Sequence, residues 1–136
     1  MAKKTKEAQK AERGHEGSAP GELRARVENA LEAFRDRTRA LIAAVAAHAE
    51  ARLALEAAQD DLEDARARAI REGLEGKNEA QRQAELLEKT REQEEAYRSA
   101  RSVYRVAEAN LEMARVAWAL EKEALRAFTA LLSREA

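Results

Sequence analysis

The stretch Gly73-Leu74-Glu75-Gly76-Lys77-Asn78 decides the fold, because it is the only interior place where a long helical pattern stops. Residues 22–72 before it and residues 79–134 after it contain neither glycine nor proline, the two residues that most disfavour a helix interior. Alanine, glutamate, arginine and leucine dominate both segments, a composition typical of long helices and coiled coils. The sequence therefore predicts a helix over 19–72, a turn over 73–78 and a second helix over 79–134.

The two ends of the turn carry residues suited to stopping one helix and starting the next. Gly73 readily adopts the left-handed conformation that commonly follows a helix, so we expect it to end the first helix. Asn78 is suited to cap the second helix, with Gln81 as its capping-box partner. Gly76 and Lys77 lack the glycine spacing and the following hydroxyl residue of a phosphate-binding loop. We interpret them as parts of an ordinary turn.

Apolar and small residues on both sides of the turn recur at alternating spacings of three and four, the heptad spacing of coiled coils. The second series runs without a break from Leu86 to Leu132. Folding the chain about Gly76 brings the two series into register, so that Phe34 faces Trp118 and Val45 faces Ala107. The sequence therefore predicts an all-α fold, a long antiparallel two-helix coiled-coil hairpin. The predicted hairpin seam comprises Val27, Phe34, Leu41, Val45 and Leu55 on the first helix, and Tyr97, Tyr104, Leu111, Trp118, Leu125 and Phe128 on the second.

One flank of the predicted seam carries small apolar residues, whereas the other flank carries charges. A lone pair of helices buries little of its surface, so we expect the apolar flank to pack against a further helix. The sequence predicts a homo-oligomer, most simply a dimer that forms a helical bundle, with another helical protein as the alternative partner. The predicted oligomer face comprises Ala44, Ala51, Ala58, Val103, Ala117 and Ala124.

Composition argues against several classes of protein. The chain has 25 basic and 26 acidic residues, so its net charge of −1 gives no global attraction to nucleic acid or to a membrane surface. It has no cysteine, which excludes disulfides and thiolate chemistry and fits a cytoplasmic protein. No uncharged segment approaches the roughly 20 residues of a membrane-spanning helix.

No catalytic, cofactor-binding or metal-binding residue is predicted, and we expect neither a cofactor nor a small-molecule substrate. His48 falls on the seam, where a packed histidine is the simpler interpretation. Glu12 and His15 have the spacing of a carboxylate-bridged di-metal motif, but such sites need two motifs and further glutamates that face inward. The leading hypothesis is therefore a non-enzymatic structural or interaction protein that self-associates or docks on partner helices.

A nucleic-acid-binding accessory protein is the alternative hypothesis. Residues 1–18 are predicted to form a disordered, weakly basic tail, because they contain few large apolar side chains and more basic than acidic residues. Arginines also recur along one side of the second helix, although glutamates lie among them. The candidate nucleic-acid contacts are Lys3, Lys4, Lys6, Arg98, Arg101 and Arg105.

The sequence Gly76-Lys77-Asn78 followed by Arg82, at the opening of a long charged helix, resembles short helical proteins of bacteriophages and integrated elements. Some members of that group occur among genes of DNA replication or recombination. The resemblance covers this turn and the helical stretch to about Leu132. It implies a mobile-element origin and assigns no active residue.

Overall fold

The computed structural model describes residues 19–135, and the predicted tail lies outside them, with Lys3, Lys4, Lys6, Glu12 and His15. Within the described residues the chain forms three helices, which are α1 (Ala19–Glu72), α2 (Glu79–Lys89) and α3 (Arg91–Glu135), and no strand. The predicted all-α hairpin of packed helices is confirmed. The helices contribute to two compact units, a terminal unit of residues 19–41 and 114–135 and a turn unit of residues Ile42–Met113.

In the terminal unit, α1 and α3 pack around one aromatic pair. The ring centroids of Phe34 and Trp118 lie 5.6 Å apart, so the facing pair deduced from the sequence is formed. Trp118 Nε1 donates a hydrogen bond to Thr38 Oγ1 at 3.0 Å, and that hydroxyl donates to the Phe34 carbonyl at 2.8 Å. The Lys122 ammonium lies 4.9 Å from the centroid of the Trp118 ring, a cation–π contact. Ala30 is buried in the same unit.

In the turn unit, α1 and α3 pack antiparallel with a second ring contact. The ring centroids of His48 and Tyr104 lie 5.1 Å apart, as the predicted register requires. Arg66 of α1 also donates a hydrogen bond to the Glu94 carboxylate of α3. The buried side chains of this unit are mostly aliphatic and small, comprising Ala51, Leu62, Ala69, Thr90, Ala107 and Leu111.

The two helices follow the predicted seam to different degrees. On α3 and α2, every member of the series from Leu86 to Leu132 is buried or half-buried, including the six predicted residues between Tyr97 and Phe128. On α1, Val27, Phe34, Leu41 and Leu55 are half-buried, but Val45 is 48% exposed. At the seam of α1, His48 and Leu55 are accompanied by Ala44, Ala51 and Ala58, which are buried or half-buried. The predicted register instead places residues 45, 52 and 59 there, each one residue later in the chain.

The position of Val45 corrects the prediction, and the cause is the phase of the heptad. Both Ala44 and Val45 lie at an acceptable spacing from Leu41, so the pattern alone does not choose between them. A β-branched side chain is the larger apolar group, and the sequence therefore favoured Val45. The hairpin instead turns the smaller Ala44 inward, on the turn of α1 next to the contact between His48 and Tyr104.

The predicted single helix over 79–134 is divided at Thr90, which ends α2 with φ −113° and ψ 17°. Its backbone N–H donates to the Leu86 carbonyl at 3.0 Å, and its hydroxyl donates to the same oxygen at 2.8 Å. A threonine that bonds the carbonyl four residues back tends to bend a helix. Thr90 is also the most buried side chain of the described residues, at 1% exposure, so the break lies inside the packed contact.

The turn joins α1 to α2 through two glycines with different roles. Gly73 has φ +95°, the left-handed conformation expected after a helix, and its N–H donates to the Ile70 carbonyl at 3.2 Å. Gly76 has no such φ, but a Cβ added there would lie 2.6 Å from the backbone nitrogen of Arg82. The backbone of the turn therefore passes directly against the first turns of α2.

Side chains of the turn and of α2 accept hydrogen bonds from backbone N–H groups where the turn meets α2. The Asn78 side chain accepts from the Gln81 N–H at 2.9 Å, so it caps α2 as predicted. The Gln81 side chain accepts from the N–H of Lys77 at 3.0 Å, rather than from that of Asn78 as a capping box requires. The Glu85 carboxylate accepts from the N–H groups of Glu75, at 2.9 Å, and Gly76, at 3.0 Å.

Candidate interaction surface

An open apolar groove runs along one side of the turn unit, between α1 and α3. It has a volume of about 560 Å³. One wall belongs to α1 and the other to α3, and the chain carries no aromatic residue in either wall. The groove is lined by Ala44, Ala47, Glu50, Ala51, Ala54, Val103, Val106, Ala107 and Asn110.

The groove exists because the seam residues beneath it are small. Ala51 and Ala107 are buried at the contact between the two helices, and Ala44 is half-buried beside them. A methyl group reaches only a short distance from the backbone, so it cannot fill the space between two helices that larger side chains hold apart. The alanines therefore form an apolar floor that is open to solvent on one side.

Two heptad series border this floor. On α1, alanines occur at spacings of three and four, and we call Ala44, Ala47, Ala51, Ala54 and Ala58 the alanine row. On α3, the same spacing gives larger residues, and we call Val103, Val106, Asn110 and Met113 the apolar ridge. Every member of the ridge is exposed, including Val106 at 60%. On α3 the ridge is a second heptad stripe beside the seam, whereas Ala44, Ala51 and Ala58 of the alanine row are themselves part of the seam of α1.

The predicted oligomer face is only partly available. Ala51 is 5% exposed, so this residue belongs to the contact within the hairpin and is not free to meet a partner. Ala44 and Ala58 in the turn unit are half-buried, as are Ala117 and Ala124 in the terminal unit. Val103 is the only predicted member that is exposed.

Sequence reasoning missed several residues that line the groove. Ala47, Ala54, Val106 and Asn110 were not assigned to any face, because the predicted oligomer face follows apolar residues at multiples of seven, which leaves out the polar Asn110 and the residues in between. The spacing of the apolar ridge, which repeats the seam of α3 one residue earlier in the chain, would have identified this second stripe. On α3, two heptad series therefore overlap, and they are offset by one residue.

The groove has one charged residue, Glu50, and its carboxylate has no ion pair within residues 19–135. Three and four residues away along α1 lie alanines and Leu53, so the helix offers no basic neighbour. On α3, Arg98, Arg101 and Arg105 are exposed and likewise form no ion pair with any described residue. Unpaired groups of opposite charge therefore occur on the two helices that border the groove.

The residues of the turn form a structural cluster rather than a binding site. Lys77 is exposed, and only its backbone N–H is engaged in the turn. The N–H groups that could receive an anion are occupied by the Glu85 carboxylate, and Lys89 Nζ donates to the Gly73 carbonyl at 3.2 Å. The hydrogen bond from the Glu75 N–H is the main cause that lowers the pKa of Glu85, with the Gly76 N–H and Lys89 adding to it against desolvation.

Comparison of the chain with protein-family models, with curated proteins and with solved structures gave no match. Within residues 19–135, no helix combines the length and the apolar character needed to cross a membrane.

Proposed function

We propose that this chain is a non-enzymatic interaction protein whose groove receives a helix of a partner. The observation that carries the proposal is the apolar ridge, a heptad stripe on α3 that no other described residue covers. Heptad stripes pack against helices, because knobs repeated every three and four residues fit the holes of another helix. Exposed contiguous apolar surface of this kind marks interaction sites.

The form of the groove favours a helix over a small molecule. Sites for small molecules are concave and enclose most of their ligand, with a few converging polar groups. This groove is open along its length and holds two polar side chains, Glu50 and Asn110. Between Ala44 and Ala54 it follows about 15 Å of helix, which corresponds to nearly three turns of a docked helix.

Cysteine labelling tests this proposal, because the chain has no cysteine of its own. Val106→Cys places a thiol in the groove, and Leu53→Cys places one outside it at a similar exposure, since the two native residues are 60% and 64% exposed. In intact cells that make the protein, we expect a maleimide to label the Val106→Cys variant several-fold more slowly. Labelling of both unfolded variants corrects for intrinsic reactivity. Equal rates in cells would contradict the proposal.

Nucleic-acid binding is the second candidate. The observation in its favour is that Arg98, Arg101 and Arg105 are exposed and form no ion pair with another residue of the described range. Their side chains are available to phosphates, which provide most of the affinity of non-specific complexes. Replacing all three by glutamine should then weaken binding of labelled single- or double-stranded DNA or RNA and flatten its dependence on salt. Fluorescence anisotropy measures both effects. No binding by the native chain at physiological salt would eliminate this candidate.

A further inference from the structure

We infer that the partner in the groove is a second copy of this chain, with α3 of each copy lying over α1 of the other. The inference rests on the proposed helix-docking function and identifies its occupant. Two properties of the groove support a second copy, and they are independent of each other. One is the size of the side chains on its two walls, and the other is the distribution of charge.

The two walls are complementary in size. The exposed Ala47 and Ala54 of the alanine row offer shallow holes on α1. Val103, Val106 and Met113 of the apolar ridge offer knobs on α3. Within one chain the knobs and the holes lie side by side and do not fill each other. A two-fold axis parallel to the helices places the ridge of each copy over the alanine row of the other, so a single self-complementary surface closes both grooves. The product is a four-helix bundle.

The charges follow the same symmetry. Because His48 contacts Tyr104, Glu50 is level with residue 102 of α3. Arg98 and Arg105 lie about 6 Å and about 4.5 Å from that level along α3, one to either side of it. The two-fold axis preserves this level, so each copy brings its two arginines beside the unpaired Glu50 of the other. Neither group has an ion-pair partner among residues 19–135, and each gains one in the dimer.

The charge of the groove also disfavours the other occupants. A nucleic acid would meet the Glu50 carboxylate at an otherwise apolar wall, which contains no lysine or arginine. A helix from a different protein would need both an apolar stripe and a basic residue at the level of Glu50. This chain already carries both on α3. The second copy needs no further assumption about sequence.

The first test measures association of the purified full chain. Sedimentation equilibrium should give a dimer mass that dissociates on dilution, and Val106→Cys should become protected from maleimide as concentration rises while Leu53→Cys does not. Val106→Glu should raise the dissociation constant about tenfold or more, because it buries a charge in the apolar contact. Circular dichroism of this variant should show unchanged helix content, since Val106 is exposed in the single chain.

Charge reversal tests the arrangement of the two copies. Glu50→Arg should weaken the dimer several-fold, and Arg98→Glu with Arg105→Glu should do the same. Combining all three changes should restore the dissociation constant to within about threefold of the native value. A control is Arg68→Glu, because Arg68 is exposed, forms no ion pair with any described residue and lies about 27 Å along α1 from Glu50. This change should leave association unchanged. Failure of the combined variant to recover would overturn the proposed geometry.

The results separate this inference from the proposed function. A monomer mass at all concentrations, with Val106→Cys unprotected when purified but protected in cells, would overturn the second copy and leave helix docking in place. Absence of protection under both conditions would overturn both proposals. Protection with a dimer mass, and reciprocal rescue by charge reversal, would establish the second copy as the occupant.

Discussion

In the turn, the three consecutive N–H groups of Glu75, Gly76 and Lys77 each donate to a side chain, whereas the groove is lined mostly by methyl and isopropyl groups. Glu85 accepts from two N–H groups of the turn, and Asn78 and Gln81 each accept from one more. The groove lies in the same unit, and Val103 and Val106 on its wall are more than half exposed. The turn is complete within one chain. Along the groove, by contrast, Val103 and Val106 are left uncovered by the residues that the structure describes, which is why we propose that a partner helix packs there.

The largest expected effect comes from comparing two leucines, one buried on α3 and one exposed on α1 outside the groove. Leu111 is 6% exposed and Leu53 is 64% exposed. Leu111→Ala should lower the free energy of unfolding by about 3 kcal/mol, because it leaves a cavity at the seam. Leu53→Ala should change it by less than about 0.5 kcal/mol. Urea denaturation of both variants at one fixed protein concentration makes the measurement.

Similar losses for the two leucines would contradict the division of α1 and α3 into an inner seam and an outer apolar surface. A second comparison checks that division on the groove itself. Val106→Ala should cost little in unfolding at concentrations where the chain is monomeric, and more where it is dimeric, since binding stabilises the folded state by mass action.

The turn provides the next effect in size, through the close approach at Gly76. A Cβ at this position would lie 2.6 Å from the Arg82 nitrogen and 2.9 Å from the Gln81 carbonyl carbon, both of which are backbone atoms. Gly76→Ala should therefore destabilise the fold by about 2 kcal/mol. Gly21→Ala is the matched control, because its Cβ meets open space within α1 and should stabilise by roughly 0.5 kcal/mol. Thermal unfolding that showed equal shifts would refute the account of the turn.

The fold was predictable from the sequence wherever the spacing of residues allowed only one interpretation. The series from Leu86 to Leu132 alternates three and four without a break, and all of its members are buried or half-buried. Gly73 and Asn78 end and start helices for local backbone reasons, so they too were predictable. The same reasoning failed at Val45, where two adjacent residues satisfied the spacing and only the packing of both helices could decide.

Three features could not be predicted from the sequence. They depend either on contacts between residues far apart in the chain or on a residue type that a continuous helix also accepts. Threonine is tolerated in helices, so the break at Thr90 has no mark in the pattern. Thr38 and Thr129 make the same hydroxyl bond within α1 and α3, and Thr90 differs from them in being fully buried. Glu85 reads as one member of an acidic run, although its carboxylate reaches Glu75 ten residues earlier. The groove forms because Ala44, Ala51 and Ala58 lie within the seam of α1, whereas the sequence predicts them on the face beside the seam.

The smallest expected effect is the contribution of the Glu85 carboxylate to the melting temperature. It tests whether hydrogen bonds stabilise the turn, in contrast to the groove, whose lining is mostly apolar. The Glu75 and Gly76 N–H groups and Lys89 lower the pKa of Glu85 below its usual 4.5 in the folded chain. Its contribution to stability is therefore present above that unfolded value and is lost as the pH falls through the lowered one. The melting temperature of the native chain should exceed that of Glu85→Gln at neutral pH, and the difference should shrink on acidification.

The comparison with Glu85→Gln is needed because the other carboxylates of the chain also titrate in acid. Their contributions are common to both proteins and cancel in the difference, which leaves the bonds of Glu85 to the turn. Glu95→Gln serves as the control, because Glu95 is exposed and makes no hydrogen bond to the turn. Its difference from the native chain should stay small at every pH. If Glu85→Gln behaved in the same way, the carboxylate would contribute nothing to closing the turn, and packing alone would account for both regions.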